Sequence, residues 1–228
     1  PAVVAHSLRM RIRTEAIREA RMLADSTSDS LLTAAAAVAV ADLEALDGQA
    51  EVARQSYLDV RRALPVSSRE SRALLTARRL LADRPDALRI ALIAGSIGPR
   101  ADSLARLANA EPAPDRRAAL WVTASQLMAE HEEFGRALEW MRRAPEVAEW
   151  PVDGPTSLEE RNTWRLQWRA WLSGLAEQAG DLQAALAYAE EAGRVARSIG
   201  DRSAAAYWVD RLGRLRHNDH ASTHTPSP

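Results

Sequence analysis

Histidines and paired carboxylates are the side chains in this sequence whose types suit acid–base or metal chemistry. His217, His220 and His224 fall in "HNDHASTHTPSP". That polar run has no apolar face to fix a ligand geometry, and residues 217–228 read as a disordered tail. His131 opens "HEE" without a second histidine four residues on, so the paired-histidine zinc pattern of a helix is absent. Glu132 with Glu133, Glu159 with Glu160 and Glu190 with Glu191 are adjacent pairs. Neighbours on a helix point about 100° apart, so each pair reads as a solvated face and not as a proton-sharing dyad. Gly95-Ser96-Ile97-Gly98 lacks the Lys-Ser/Thr of a phosphate loop and reads as a helix stop before Pro99. No nucleophile-elbow pattern is present, and without cysteine there is neither a disulfide framework nor a thiolate site. The expectation is a protein that is not an enzyme and uses no metal and no cofactor.

Recognition chemistry is better represented. "TWRLQWRAW" places Trp164, Trp168 and Trp171 among arginines. With Leu175 they run i, i+4, i+7, i+11, one stripe of a helix. Trp168 and Trp171 read as core. Trp164 lies before the repeat that contains the others and, with Arg165, reads as the border of a partner site; Arg165 and Arg169 flank it on the adjacent face. The arginine pairs at 61–62, 78–79, 116–117 and 142–143 are spread over four segments and balanced by nearby acids, and Arg9, Arg11, Arg13, Arg18 and Arg21 form a denser N-terminal group. None makes a continuous phosphate-binding stripe.

Composition says what must position these groups. The 228 residues carry 30 basic and 31 acidic side chains, and every basic one is arginine. A near-neutral balance argues against a dedicated nucleic-acid or membrane surface. The complete Arg-for-Lys bias resembles GC-rich, actinobacterial coding. The apolar residues are mostly Ala, Leu and Val, with one Phe, Phe134, which points to an all-α protein. The apolar run 31–41 is too short to span a bilayer, and the N-terminus lacks the pattern of a secretory signal. A cytoplasmic location is expected.

The alanines hide a repeat. Ala53 and Pro65 are followed 34 residues on by Ala87 and Pro99. "EEFGRALEWMRRAP" offers Ala137, Met141 and Ala144, and "GDLQAALAYAEEA" offers Ala185, Ala189 and Ala192. Val40-Ala41, Leu74-Leu75, Ala124-Ser125 and Leu172-Ser173 fall thirteen and twelve residues before these anchor alanines. Small or apolar pairs at a fixed offset mark the place where two helices cross closely. The spacing breaks at "RADSLARLANAEPAPD", read as a short helix plus a Pro-rich link, and at "WPVDGPTSLEE", where Ser157 and Glu160 form a capping box for a helix from Leu158 to about Ala179. Gly200 and Asp201 close one helix and cap another over 202–216.

On Gly48, Ala53, Tyr57 and Pro65, and on Trp121, Ser125, Ala137 and Ala144, the chain resembles the tetratricopeptide repeat. Turn glycines are replaced by Ala82 and Glu132. The resemblance implies a right-handed α-solenoid of antiparallel helix pairs, roughly eleven helices in one domain over 1–216, with units at about 34–67, 68–101, 118–149 and 166–199. It also implies partner binding on the concave face of the first helices. The groove positions fall on Arg69, Arg72, Thr76 and Arg79 in the second unit, on Val122, Gln126 and Glu130 in the third, and on Gln167, Glu177 and Gln178 in the fourth. In the first they fall on Val38, Asp42 and Leu46. The family's lysine–asparagine carboxylate clamp is missing, since the asparagine positions hold Asp42, Thr76, Gln126 and Gly174. The units are also similar to degenerate repeats appended to actinobacterial regulators, through phrases such as "ARSIGD". The expected function is therefore a scaffold binding a protein or peptide, with no direct nucleic acid or membrane contact and with a homodimer left open. The alternative is a ligand-sensing or autoinhibitory arm of a transcription regulator whose DNA-binding domain lies outside this chain.

Overall fold

The computed structural model describes residues 18, 22, 30–63, 69–92, 96–144 and 158–223, with the side chains at 30–32, 69–73, 158–161, 163, 164 and 219–223 outside the description. The described part of the chain is all-helical. The described residues form ten helices: α1 (Ser30–Leu46), α2 (Ala50–Ala63), α3 (Arg69–Leu80), α4 (Pro85–Leu92), α5 (Ile97–Ala110), α6 (Pro114–Glu130), α7 (Phe134–Arg143), α8 (Leu158–Gln178), α9 (Leu182–Ser198) and α10 (Arg202–Thr223). The chain divides into two compact units, Pro1–Ala94 and Gly95–Pro228, where one continuous domain over 1–216 is expected from the sequence.

The turns explain why the small residues recur. In the first unit, Gly48 takes φ +83°, and the Gln49 N–H reaches back to the Glu44 carbonyl at 2.9 Å. This is the left-handed helix ending that glycine favours. The same turn recurs in the second unit at Gly180 (φ +77°), Gly200 (φ +71°) and, without a glycine, Glu132 (φ +63°). The residue after each turn then receives the first bond of the next helix, from Ala53 to Gln49 (3.0 Å), Ala137 to Glu133 (3.0 Å) and Ala185 to Asp181 (2.9 Å). Each of these anchor alanines is therefore locked to its turn. Asp181 and Asp201 also cap, accepting from the Ala184 N–H at 3.0 Å and the Ala204 N–H at 2.8 Å.

Ala82 departs from this scheme. It does not enter the left-handed region. The turn is one residue longer, α4 starts at Pro85, and the Leu88 N–H bonds the Arg84 carbonyl at 3.0 Å. A Cβ makes the left-handed conformation costly, and proline suits a first helical position. Ala87 and Leu88 are both buried there.

The crossings are closely packed. Ala53, Ala87, Ala137 and Ala185 have no exposed surface. In the second unit, the buried Ser125 hydroxyl donates to the Ala137 carbonyl at 2.7 Å, and Ser173 donates to the Ala185 carbonyl at 3.0 Å. Both are twelve-residue links, matching the predicted offset. Consecutive helices pack on one another, as α1 with α2 and α2 with α3 in the first unit, and from α5 through α10 in the second. Helices two apart are tied by ion pairs at repeat-like separations. Arg78 to Asp42 spans 36 residues at 2.7 Å, Arg211 to Glu177 spans 34 at 2.6 Å, and Arg136 to Asp102 spans 34.

Two sequence expectations are revised. The stretch expected as a short helix plus a Pro-rich link is α5 followed by Glu111 and Pro112, but the helix starts at Ile97, before Pro99, and packs on α6. Pro99 sits in its first turn, where the missing N–H would have had no helical partner, so the unit boundary at 101 falls inside a helix. At the other end α10 continues to Thr223 and carries His217, where the helix was expected to stop at 216 with a disordered tail beyond. Neither glycine nor proline interrupts residues 217–223, and extending an existing helix costs only a few tenths of a kcal/mol per polar residue. The capping box expected at Ser157 and all of residues 145–157 lie outside the described residues.

Candidate functional site

In the second unit, α8 and α9 are antiparallel neighbours joined by the Gly180 turn. Their inner faces bury Leu166, Trp168, Trp171 and Leu172 on α8 and Ala185, Ala189, Ala192 and Ala196 on α9. Trp168 and Trp171 meet edge to face at 6.3 Å, so the predicted core half of the tryptophan stripe is core. The Trp164 side chain lies outside the described residues.

Turning that stripe inward presents another stripe outward. Arg165 and Arg169, four apart, stand one above the other on α8. Glu191, Arg194 and Val195 form the facing row on α9. Together these five residues line an open cleft of about 200 Å³. Three guanidinium groups thus share the lining with a single carboxylate. Glu191 Oε2 lies 2.6 Å from Arg169 Nε, and Glu191 Oε1 lies 3.8 Å from Arg194 Nη2. The closer approach is an ion pair with poor alignment, because the buried Oε2 accepts no well-directed hydrogen bond among the described residues. Arg165 is exposed. One turn before Glu191, the Tyr188 ring has the Arg142 and Arg169 guanidinium groups at 5.8 and 5.9 Å. Arg142 also donates to the Tyr188 hydroxyl at 3.0 Å and to Asp181 at 3.3 Å, which fixes this end of the cationic row.

The other residues expected at a partner surface are scattered. Thr76, Arg79 and Gln167 are buried, as is Val122. Their faces are turned into the packing, which removes them from an open groove. Asp42 is engaged by Tyr57 and Arg78 at 2.7 Å each. Gln126 is half-buried and donates to the exposed Glu130 at 3.3 Å. Glu177 is half-buried and paired with Arg211, and Gln178 is exposed. The Arg69 and Arg72 side chains lie outside the described residues. Arg165 is the predicted residue that lines the cleft; Glu191, Arg194 and Val195 were missed.

Among the described residues, no group of three or more His, Asp or Glu is placed to hold a metal ion, and no helix is long and apolar enough to cross a membrane. No protein-family model, curated protein or solved structure matches the chain. The fold and the cleft define an all-helical protein with a cationic opening between two packed helices.

Proposed function

We propose that the protein is a non-catalytic scaffold that binds a segment of a protein partner, and that its helix pairs form a right-handed solenoid of the tetratricopeptide kind acting in the cytoplasm. The observation that carries this reading is the α8/α9 cleft. Its walls are charged side chains held at fixed spacing by two helices whose inner faces are closely packed. A rigid helical face with projecting polar groups loses little conformational entropy when an extended segment docks. In the described part of the chain the expected concave residues divide between packing and solvent, and the cleft takes their place as the proposed contact surface.

The test is a peptide-display selection on the whole chain, with counter-selection on the Arg165→Glu, Arg194→Glu double variant. Enrichment of a peptide family on the parent that disappears on the variant is the expected outcome. Equal enrichment on both proteins places binding elsewhere and contradicts the reading.

A further inference from the structure

We infer that the α8/α9 cleft recognises a carboxylate-bearing segment, and that Glu191 is the internal stand-in for one of the partner's carboxylates. The inference rests on the scaffold reading above and adds the chemistry of the partner. Three arginines against one glutamate leave the lining with two excess positive charges. Glu191 already occupies the position where an acid meets Arg169, yet its buried Oε2 accepts no well-directed hydrogen bond among the described residues. Its Oε1 stays 3.8 Å from Arg194, beyond hydrogen-bonding range. A carboxylate arriving from outside is free of the α9 backbone, so it can choose a forked, two-bond approach to a guanidinium, which is the stronger geometry. Arg165 and Arg194 stand exposed to receive it. Val195, half-buried at the same lining, offers an apolar contact beside the charges.

Carboxylate is favoured over phosphate on two grounds. The group already seated in the cleft is a carboxylate. The chain as a whole has a net charge of −1, so no long-range positive field draws in a polyphosphate backbone.

The experiment is a fluorescence-anisotropy titration of the full chain with a labelled peptide of alternating Glu and Leu. A Gln-for-Glu version and a single-stranded oligonucleotide of similar length serve as comparisons. The acidic peptide is expected to bind about tenfold tighter than its Gln version. Arg165→Gln and Arg194→Gln should each weaken it about fivefold, with melting unchanged. Glu191→Gln should tighten it, since the internal competitor is gone. Equal binding of the Gln peptide overturns the acidic chemistry. If that binding is also lost in the arginine double variant, the scaffold reading stands without it. Failure of both peptides to bind overturns this inference and leaves the scaffold reading to the display selection. Weaker acidic-peptide binding in Glu191→Gln overturns the stand-in role. Tighter, arginine-dependent binding of the oligonucleotide replaces carboxylate with phosphate.

Discussion

Tyr57 is fully buried and donates its hydroxyl to Asp42 at 2.7 Å. Burial, and then the neighbouring Asp42 charge, raise its ionisation well above the ordinary 10.0. A group whose folded value is raised contributes stability that is present below its unfolded value and is lost as pH climbs past it. Stability should therefore fall above pH 10 with a Tyr57 component approaching 1.4 kcal/mol per pH unit. No lysine titrates in this window, and comparison with Tyr57→Phe separates Tyr57 from the chain's other two tyrosines. Urea melts from pH 8 to 11.5 should show a steeper alkaline loss in the parent than in Tyr57→Phe. At neutral pH that variant should be less stable by about 1–3 kcal/mol, the contribution of a hydrogen bond to a charged acceptor. Asp42 itself is raised above 3.8, because burial outweighs the lowering by Arg78 and Tyr57. By the same sign rule its contribution is present below that value and is lost as pH rises through the raised one, so at neutral pH the buried carboxylate is held by its partners against its own desolvation.

Glu132 gives the second residue-scale prediction. It holds φ +63° at a turn where the three equivalent residues are glycine. Glu132→Gly should raise stability by about 1 kcal/mol. Ala82→Gly should give no such gain and should loosen the turn, since Ala82 is not in the left-handed region. Thermal melts of the two variants side by side check both signs.

At the scale of elements, the anchor alanines were visible in the sequence because a turn and the first bond of the next helix lie a fixed distance apart. Ala53, Ala137 and Ala185 all sit four residues after the residue that closes the turn, so any chain reusing this turn repeats its small residue in register. The serine offsets were visible for the same reason. The missing glycine at Ala82 is legible in the sequence, but the longer connection that alanine there requires is not revealed by spacing alone. α5 was legible as a helix, but its start at Ile97 was not, because the sequence places the boundary before Pro99, whereas in a first turn proline is tolerated. Ala137→Trp should overpack the α6/α7 crossing, where Ser125 already bonds the Ala137 carbonyl at 2.7 Å. A loss of at least about 1–3 kcal/mol is expected in a urea melt. Trp168→Ala should cost about 3–5 kcal/mol, the usual effect of emptying a buried aromatic site.

At the scale of the molecule, the cleft was only half legible. Arg165 and Arg169 announce themselves as an i, i+4 pair. Their opposites do so only once α8 and α9 are known to fold about Gly180. Arg169 and Glu191 then stand eleven residues on either side of the turn, and Arg165 and Val195 fifteen. Long-range pairing of this sort depends on the turn geometry and not on local pattern. The division into two compact units also carries a prediction. A fragment covering 95–228 should fold alone, with a cooperative melt and helical circular dichroism, because α5 to α10 pack on one another in succession.

The most direct test of the account is site-specific photocrosslinking on the full chain. A benzophenone side chain is placed in turn at Arg165, Arg194, Gln126 and Glu130, and the protein is irradiated with the peptide family recovered by display. The account predicts crosslinks from positions 165 and 194, mapped by mass spectrometry to acidic stretches of the peptide, and none above background from 126 and 130. Crosslinks concentrated at 126 and 130, with 165 and 194 silent, would contradict it and return the binding surface to the first helices of the repeat.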